Sequence, residues 1–491
     1  MPKPELPDQF LYSRTGPWPQ PSPSHPLKCA NEVLNIPAME TLLFNNTIGA
    51  RYLDARLNFP PIAAAYVVQN LGWAGPVDTR FEQIMYTTLY TRFLKPLSPL
   101  DQRRCKENNI PIDARTKKYD FTAMNLLDPL EGMYCAATVL IISEDPRGKR
   151  SSACIFVNDV CVKPSDSAWS LAKIYALQGA AYHVLFVVHP ALHFPMDSVN
   201  AITKSAVPIA HPLFQLLAPH SRYQLALDNA VLESAESVVN NNAQGTRFDP
   251  LTANAYNLKL LFGAGYTGLP ADKYDPNAYP RYDYMQPVMG FDSDYGAWLK
   301  AYYAPFQGFC STVAVALLED SRLRQYVIPW ARYNHAHVLG FPDEKQILDA
   351  DVLANALAIF MWNGSVAHGG DHASFGETIE VTEKCLRIRR PPPKSPNEPP
   401  VAPGEIFSED DLARAAICQD MFFQPWAIPP NLGQTSYALT DPKLFAASQE
   451  FNKALIAVSK RTDIVQFMPL GAHVDPKDPA YASTIPQSIQ Y

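Results

Sequence analysis

Residues Trp169 to Pro190, WSLAKIYALQGAAYHVLFVVHP, are apolar on every face of a helix and carry a single charge, Lys173. A second stretch of the same kind, Val352 to His372 (VLANALAIFMWNGSVAHGGDH), has no charge until Asp371. A helix that is hydrophobic all round must be covered on every side. Both runs are interrupted by His, Pro or Gly before they reach the length of a lipid-facing span, so no transmembrane segment is expected. The cover must then come from the chain itself. With 491 residues, 47% of them hydrophobic and 18% charged, there is mass enough for a large core.

The remaining composition narrows the function. A net charge of −7 without a basic run excludes a nucleic-acid partner. The eight cysteines are scattered and form no CxxC, which fits reduced thiols better than a disulfide framework or a zinc cluster. The opening MPKPELPDQF has no apolar signal-peptide core, and a cytoplasmic location is the expectation.

The organisation reads as a proline-rich arm over residues 1–28 followed by one domain over 29–491. The fold class is mostly α: a large helical domain around the two central buried helices, with a small β-hairpin region. NEVLNIPAMETLLF, IAAAYVVQNLGW and FEQIMYTTLYTRFL have helical periodicity. So do DSDYGAWLKAYYAPF, the stretch from Cys310 to Tyr326, SEDDLARAAICQDMFF and DPKLFAASQEFNKALIAVSKRTDIV. Residues 134–163 hold two β-rich runs flanking a Pro-Arg-Gly turn, which predicts a hairpin. Residues 239–295 read as long loops with short helices, and 389–405 as a solvated proline-rich crossing. Asp349 or Asp351 is expected to cap the second central helix.

Histidines single out the chemistry. His368 and His372 are four apart, so on a helix their Cβ atoms lie about 5–6 Å apart on one face. His189 and His193 have the same spacing, with Pro190 between them. Proline removes a backbone donor and clashes with the preceding turn, so the first helix is expected to bend or break at His189. One such pair is commonly a hydrogen-bonded core pair. Two pairs on nearly uncharged helices point to a cation that satisfies four buried imidazoles at once. Ligand type alone leaves iron, copper and zinc open. His183 falls off the ligand face, His211 and His220 flank proline-fixed turns and read as structural, and His335 and His337 read as solvent-facing. His25 and His473 lie in proline-rich surface segments. Asp371, between two histidines, should point elsewhere, which leaves the cation's charge unbalanced.

Five segments resemble the lipoxygenases. WSLAKIY resembles that family's W-x-L-A-K-x-Y, HPLFQLLAPHSR its H-P-x-x-x-L-L-x-P-H-x-R, and WNGSVAHGGDH its W-x-x-S-A-x-H-x-x-x-[HN]. RIRRPPP resembles M-R-x-P-P-P, and IPQSIQY resembles the I-P-x-S-I-x-[IV] terminus. The likeness runs from about Thr138 to Tyr491. It implies a non-haem iron, cycling between ferrous and ferric states, held by His189, His193, His368, His372 and the terminal carboxylate of Tyr491. Such a carboxylate is ionised at neutral pH and would supply the missing charge. The implied reaction is hydrogen abstraction from a polyunsaturated fatty acid, then addition of O2 to give a hydroperoxide. An alternative is the same iron site used on a different polyene, possibly without net dioxygenation; a third reading has the histidines hold a structural metal or none.

The chain departs from the family in places. The family has four residues between its first two histidines, in a widened turn; here there are three. The small Ala or Gly that governs oxygen entry is replaced by Val231, followed by Leu232 where the family has Arg. The last residue is Tyr where an aliphatic one is usual, and no stretch is left for the family's amino-terminal β-barrel. These differences leave the implied iron in place but weaken the case for an ordinary fatty-acid substrate; the sequence by itself does not choose iron over another metal such as manganese.

Overall fold

The computed structural model describes residues 38–50, 60–233, 293–423 and 428–489, less positions 473, 476, 479, 480 and 482, together with 251–253, 258, 261, 262 and 282. The proline-rich arm and most of 239–295 lie outside the described residues.

The first central helix is longer than its apolar run. An α-helix over Trp169–His183 leads through a π-helical turn, Val184–Val188, into a second α segment, His189–Ala206. The break expected at His189 does not occur. A π turn closes i→i+5 bonds, and the His189 N–H reaches back to Val184 O. Pro190 then sits in the first turn of the restarted α segment, where its missing N–H costs least. The second central helix is built alike: Ala350–Trp362, a π turn at Asn363–Ala367, the short α segment His368–Ala373 and a further π turn, Ser374–Thr378. Asp349 caps it, accepting from the N–H groups of Asp351 and Val352.

Histidine, proline and glycine therefore do not interrupt these runs. Trp169–Lys204, Asp294–Glu319 and Ala350–Thr378 are each long and apolar enough to cross a membrane by length and composition. The protein itself buries 83%, 44% and 78% of their most apolar windows.

Other helices wrap the pair. Asp294–Glu319 packs along the second central helix, and Pro442–Ser459 packs against Asp294–Glu319. Helix Asp294–Glu319 runs unbroken through Pro305; the break comes at Asp320, whose side chain accepts from Arg322 N and caps the next helix, Ser321–His337. The expected division near Cys310 is thus displaced to the residue that can cap. Helix Pro60–Asn70 lies against Glu409–Cys418, and the crossing 389–405 is free of helix and strand.

The expected hairpin is real but forms part of a larger sheet. Strands β1 (Leu94–Pro96), β2 (Lys117–Asp120), β3 (Thr138–Glu144), β4 (Arg150–Val157) and β5 (Val160–Val162) pair antiparallel in sequence order. The register of β3 on β4 shifts at Ile141/Ile142, a bulge. One face of β3 and β4 lies against Trp169–His183. The main core gathers Tyr175, Tyr182, Trp298, Trp330 and Trp362, each almost wholly buried.

Candidate metal centre

The π turns are what aim the histidines. Each lies directly before a pair, Val184–Val188 before His189 and Asn363–Ala367 before His368. The widened turn rotates the α segment that follows. With three residues between them, His189 and His193 then have ordinary i, i+4 α geometry, with rings 4.4 Å apart. His368 and His372 repeat it at 4.5 Å. Across the two helices, His189 lies 5.1 Å from His368 and 4.9 Å from His372, and His193 lies 4.7 Å from His368. Ligand nitrogens of His189, His368 and His372 lie within 4.8 Å of one another. The Nε2 atom of His193 is 2.9 Å from Nε2 of His189 and 2.9 Å from Nε2 of His368.

His193, His368 and His372 are buried, and His189 is half-buried. Burial holds the imidazole of His193 down to about 3. Burial and then the neighbouring rings hold His189 and His368 well below the usual histidine range. These rings are neutral at pH 7 and offer lone pairs.

Their arrangement can be tested against a cation. Nδ1 of His193 lies 2.7 Å from Oδ1 of Asp228. A neutral imidazole beside a carboxylate keeps its proton on that side, which leaves Nε2 a bare acceptor. Two further Nε2 atoms press against that acceptor, and one lone pair cannot take a good hydrogen bond from both. A cation among these nitrogens satisfies them together, and imidazole donors suit iron, copper, nickel or zinc. The donor set fits a transition-metal ion.

Helix Gln224–Glu233 grips the first pair. Gln224 donates through Nε2 to the backbone carbonyl of His193 at 3.0 Å, one turn before Asp228 takes the ring. Asn363, in the π turn of the other helix, donates to Leu192 O at 2.8 Å. Val231 is on the same gripping helix, half-buried against the main core, while the side chain of Leu232 lies outside the described residues.

Asp371 points away from the cluster, as expected. Its carboxylate accepts from Arg92 and from the hydroxyl of Tyr295, and all three side chains are buried. The cationic Arg92 also lies over the Tyr295 ring, 5.4 Å from its centroid.

Tyr491 lies outside the described residues, but its approach is visible. Pro486 packs on the second central helix at Gly369, where a Cβ would meet its Cδ at 2.5 Å. The carbonyl of Gln487 accepts from His220 Nδ1 at 2.9 Å, and His220 Nε2 pairs with the Tyr437 hydroxyl at 2.8 Å. Ile489 is buried with Tyr223, Ala226, Leu227, Phe44 and Ile48. The tail is thus carried to the helix that bears Asp228.

The other histidines have structural work. His183 bonds Gly179 O at 2.8 Å and packs on Phe93 and Phe121. His211 caps its helix by accepting from Leu213 N, and His335, although exposed, pairs with Phe341 O. His25, His473 and the side chain of His337 lie outside the described residues. Sequence reasoning missed Gln224, Asp228, Arg92 and Tyr295. For the first two a signal existed: polar residues four apart in an apolar helix share a face and need partners.

No family model matches the chain. Among curated proteins, it is 24% identical over 316 residues to "Putative lipoxygenase 5" of Oryza sativa subsp. japonica, covering 59% of this chain and 33% of that protein. It is 30% identical over 114 residues to mouse "Polyunsaturated fatty acid lipoxygenase ALOX12", covering 20% of this chain and 16% of that one. The matches span about a third and a sixth of these relatives. Among solved structures, a coral 8R-lipoxygenase superimposes with a TM-score of 0.65 at 15% identity, covering 96% of this chain and 79% of that one. The manganese lipoxygenase of Gaeumannomyces graminis gives 0.64 at 16%, covering 96% of each. A calcium-dependent 11R-lipoxygenase gives 0.62 at 13%, covering 84% of this chain and 65% of that one. The described architecture is the lipoxygenase catalytic fold in a divergent sequence.

Proposed function

We propose that this chain is a non-haem iron lipoxygenase-like dioxygenase that converts a polyunsaturated fatty acid to a hydroperoxide with O2. His189, His193, His368 and His372 would hold the iron together with the carboxylate of Tyr491. The observation that carries the reading is the convergence of buried, neutral imidazoles from two helices, with Nε2 atoms at 2.9 Å. The neighbours in sequence and fold are named lipoxygenases, and the mouse relative is named for polyunsaturated fatty acids.

When bound, iron supplies the one-electron oxidant that a doubly allylic C–H bond requires. The chain's residues do the rest. Asp228 holds His193 in the tautomer that presents Nε2, and Gln224 fixes the backbone beneath it. Arg92 and Tyr295 neutralise Asp371, so the acid between two ligands does not compete for the cation. His189 keeps some exposure, as do Leu185, Val187 and Val188 in the turn before it. That apolar side is where a hydrocarbon chain would reach the cluster. Pro486 and Ile489 set the tail's course toward the site and support the carboxylate assignment.

Metal analysis of the purified protein tests the site. Near-stoichiometric iron that His368→Ala removes is the expected result; manganese would correct the metal, and no metal would end the reading. One residue appended after Tyr491 should lower metal content, and unchanged loading would remove that carboxylate from the ligand set. Linoleate incubation, followed by conjugated-diene absorbance and oxygen uptake, tests the reaction. Val231 favours a second reading in which a different polyene is the substrate, since its half-buried bulk stands where the family resemblance calls for Ala or Gly. A loaded site silent on linoleate would favour that reading.

A further inference from the structure

At the end of the molecule marked by the sheet, three cysteines share a small core of their own. Cys105 on helix Pro99–Glu107 and Cys154 on β4 are fully buried, and Cys161 on β5 is half-buried beside them. Cys161 stands opposite Phe156 in the β4–β5 ladder, so Cys154, two residues from Phe156, is its diagonal neighbour on the same face. Arg104 is fixed over this hairpin: it donates to Asn158 O at 2.8 Å, and its guanidinium lies 4.3 Å from the Phe156 ring centroid. Lys163 follows two residues after Cys161.

We propose that Cys161 and Cys154 form a peroxide-reactive thiol pair, Cys161 being the attacking sulfur and Cys154 the resolving one. Cys161 is the half-buried member of the pair and Cys154 the fully buried one, and Arg104 lies over Phe156, the residue opposite Cys161. The neighbouring Cys154 thiol, with Lys163 and Arg104 and against burial and Asp166, holds the Cys161 thiol below its ordinary value. Burial pushes Cys105 and Cys135 the other way, each to about 11. The thiolate is the nucleophile, so reactivity at neutral pH concentrates at Cys161. Cys161 lies on β5, an edge of the described sheet and only three residues long.

The chemistry balances with an organic hydroperoxide, ROOH, as oxidant. The Cys161 thiolate attacks the terminal peroxide oxygen; the O–O bond breaks, the leaving alkoxide takes a proton and departs as ROH. Cys161 is now a sulfenic acid. The Cys154 sulfur displaces its hydroxyl, an S–S bond forms, and the hydroxyl leaves as water with the Cys154 proton. Two thiols and ROOH become a disulfide, ROH and H2O, and two electrons pass from sulfur to the peroxide. A hydroperoxide is also the product class proposed above, but the pair needs no metal.

The test is cumene hydroperoxide added to the purified full chain, followed by alkylation of remaining thiols and peptide mapping. A Cys154–Cys161 linked peptide and a loss of 2 mass units per chain are expected from removal of two hydrogens. In Cys154→Ser the reaction should stop at a dimedone-reactive sulfenic acid on Cys161. Before oxidation, Cys161 should alkylate at least about tenfold faster than Cys135 at pH 7. His368→Ala should keep all of this, which separates the pair from the metal reading. Equal alkylation of Cys161 and Cys135, or hydroperoxide treatment that leaves Cys154 and Cys161 unlinked in the wild-type chain, would overturn the proposal.

Discussion

The two central helices reach one geometry by different means. Each places an i, i+4 histidine pair just after a π turn. The first is held from outside: Gln224 takes the backbone of His193, Asp228 takes its ring, and Asn363 takes the neighbouring carbonyl. The second is held by proximity. Gly369 and Gly370 lie between its histidines, where added Cβ atoms would meet Pro486 at 2.5 Å and the Trp298 ring at less than that. Polar grips tolerate small displacements of their partners, whereas backbone packed on a ring or a proline does not. Substitutions on the second helix should therefore damage folding, and those around the first should damage the site with the fold intact.

Arg92→Leu is expected to have the largest effect. It leaves the buried Asp371 without its cation, a loss of about 3–5 kcal/mol. A change below about 1 kcal/mol in chemical denaturation would show that the second helix does not depend on that pair. Acid probes the first helix. His183 is held at about 4 in the fold by burial, against about 6.5 in the unfolded chain. Between those values the unfolded state binds a proton that the folded state does not. The contribution of neutral His183 is complete above pH 6.5 and is lost as pH falls to 4. His183→Gln should accordingly remove about 3 kcal/mol of the stability loss measured between pH 7 and pH 4. An unchanged pH slope would place the acid sensitivity elsewhere.

Gly370→Ala comes next. Trp298 must shift to admit the methyl group, at a cost of about 1–3 kcal/mol in urea midpoint measurements. A neutral result would erase the contrast drawn between the helices. Gln224→Ala should be mildest, about 1 kcal/mol for one hydrogen bond to His193 O, with a faster loss of bound metal to a chelator as its clearer signature. Metal release at the wild-type rate would reduce that contact to packing.

Much of this was written in local pattern. The nearly charge-free runs marked both central helices, the Pro-Arg-Gly turn marked β3 and β4, and Asp349 marked a helix start. The histidine pairs were legible because four-residue spacing has one meaning on a helix. What escaped depends on contacts distant in sequence. Pro190 was read as a break because α geometry was assumed; a π turn is a register shift that no residue type announces. Strands β1, β2 and β5 are three or four residues long, too short for alternation to stand out. Asp228 meets His193 across 35 positions and Arg92 meets Asp371 across 279; the spacing of Gln224 and Asp228 shows that they need partners, but local pattern does not say which ones.

The seat of Pro486 on Gly369 sets an order of events in biosynthesis. His189, His193, His368 and His372 all emerge from the ribosome more than a hundred residues before the proline that packs between the second pair. A nascent chain can form both central helices and still present an unsealed cluster. Closure waits for the tail, so the final compaction of this region is a late step of maturation.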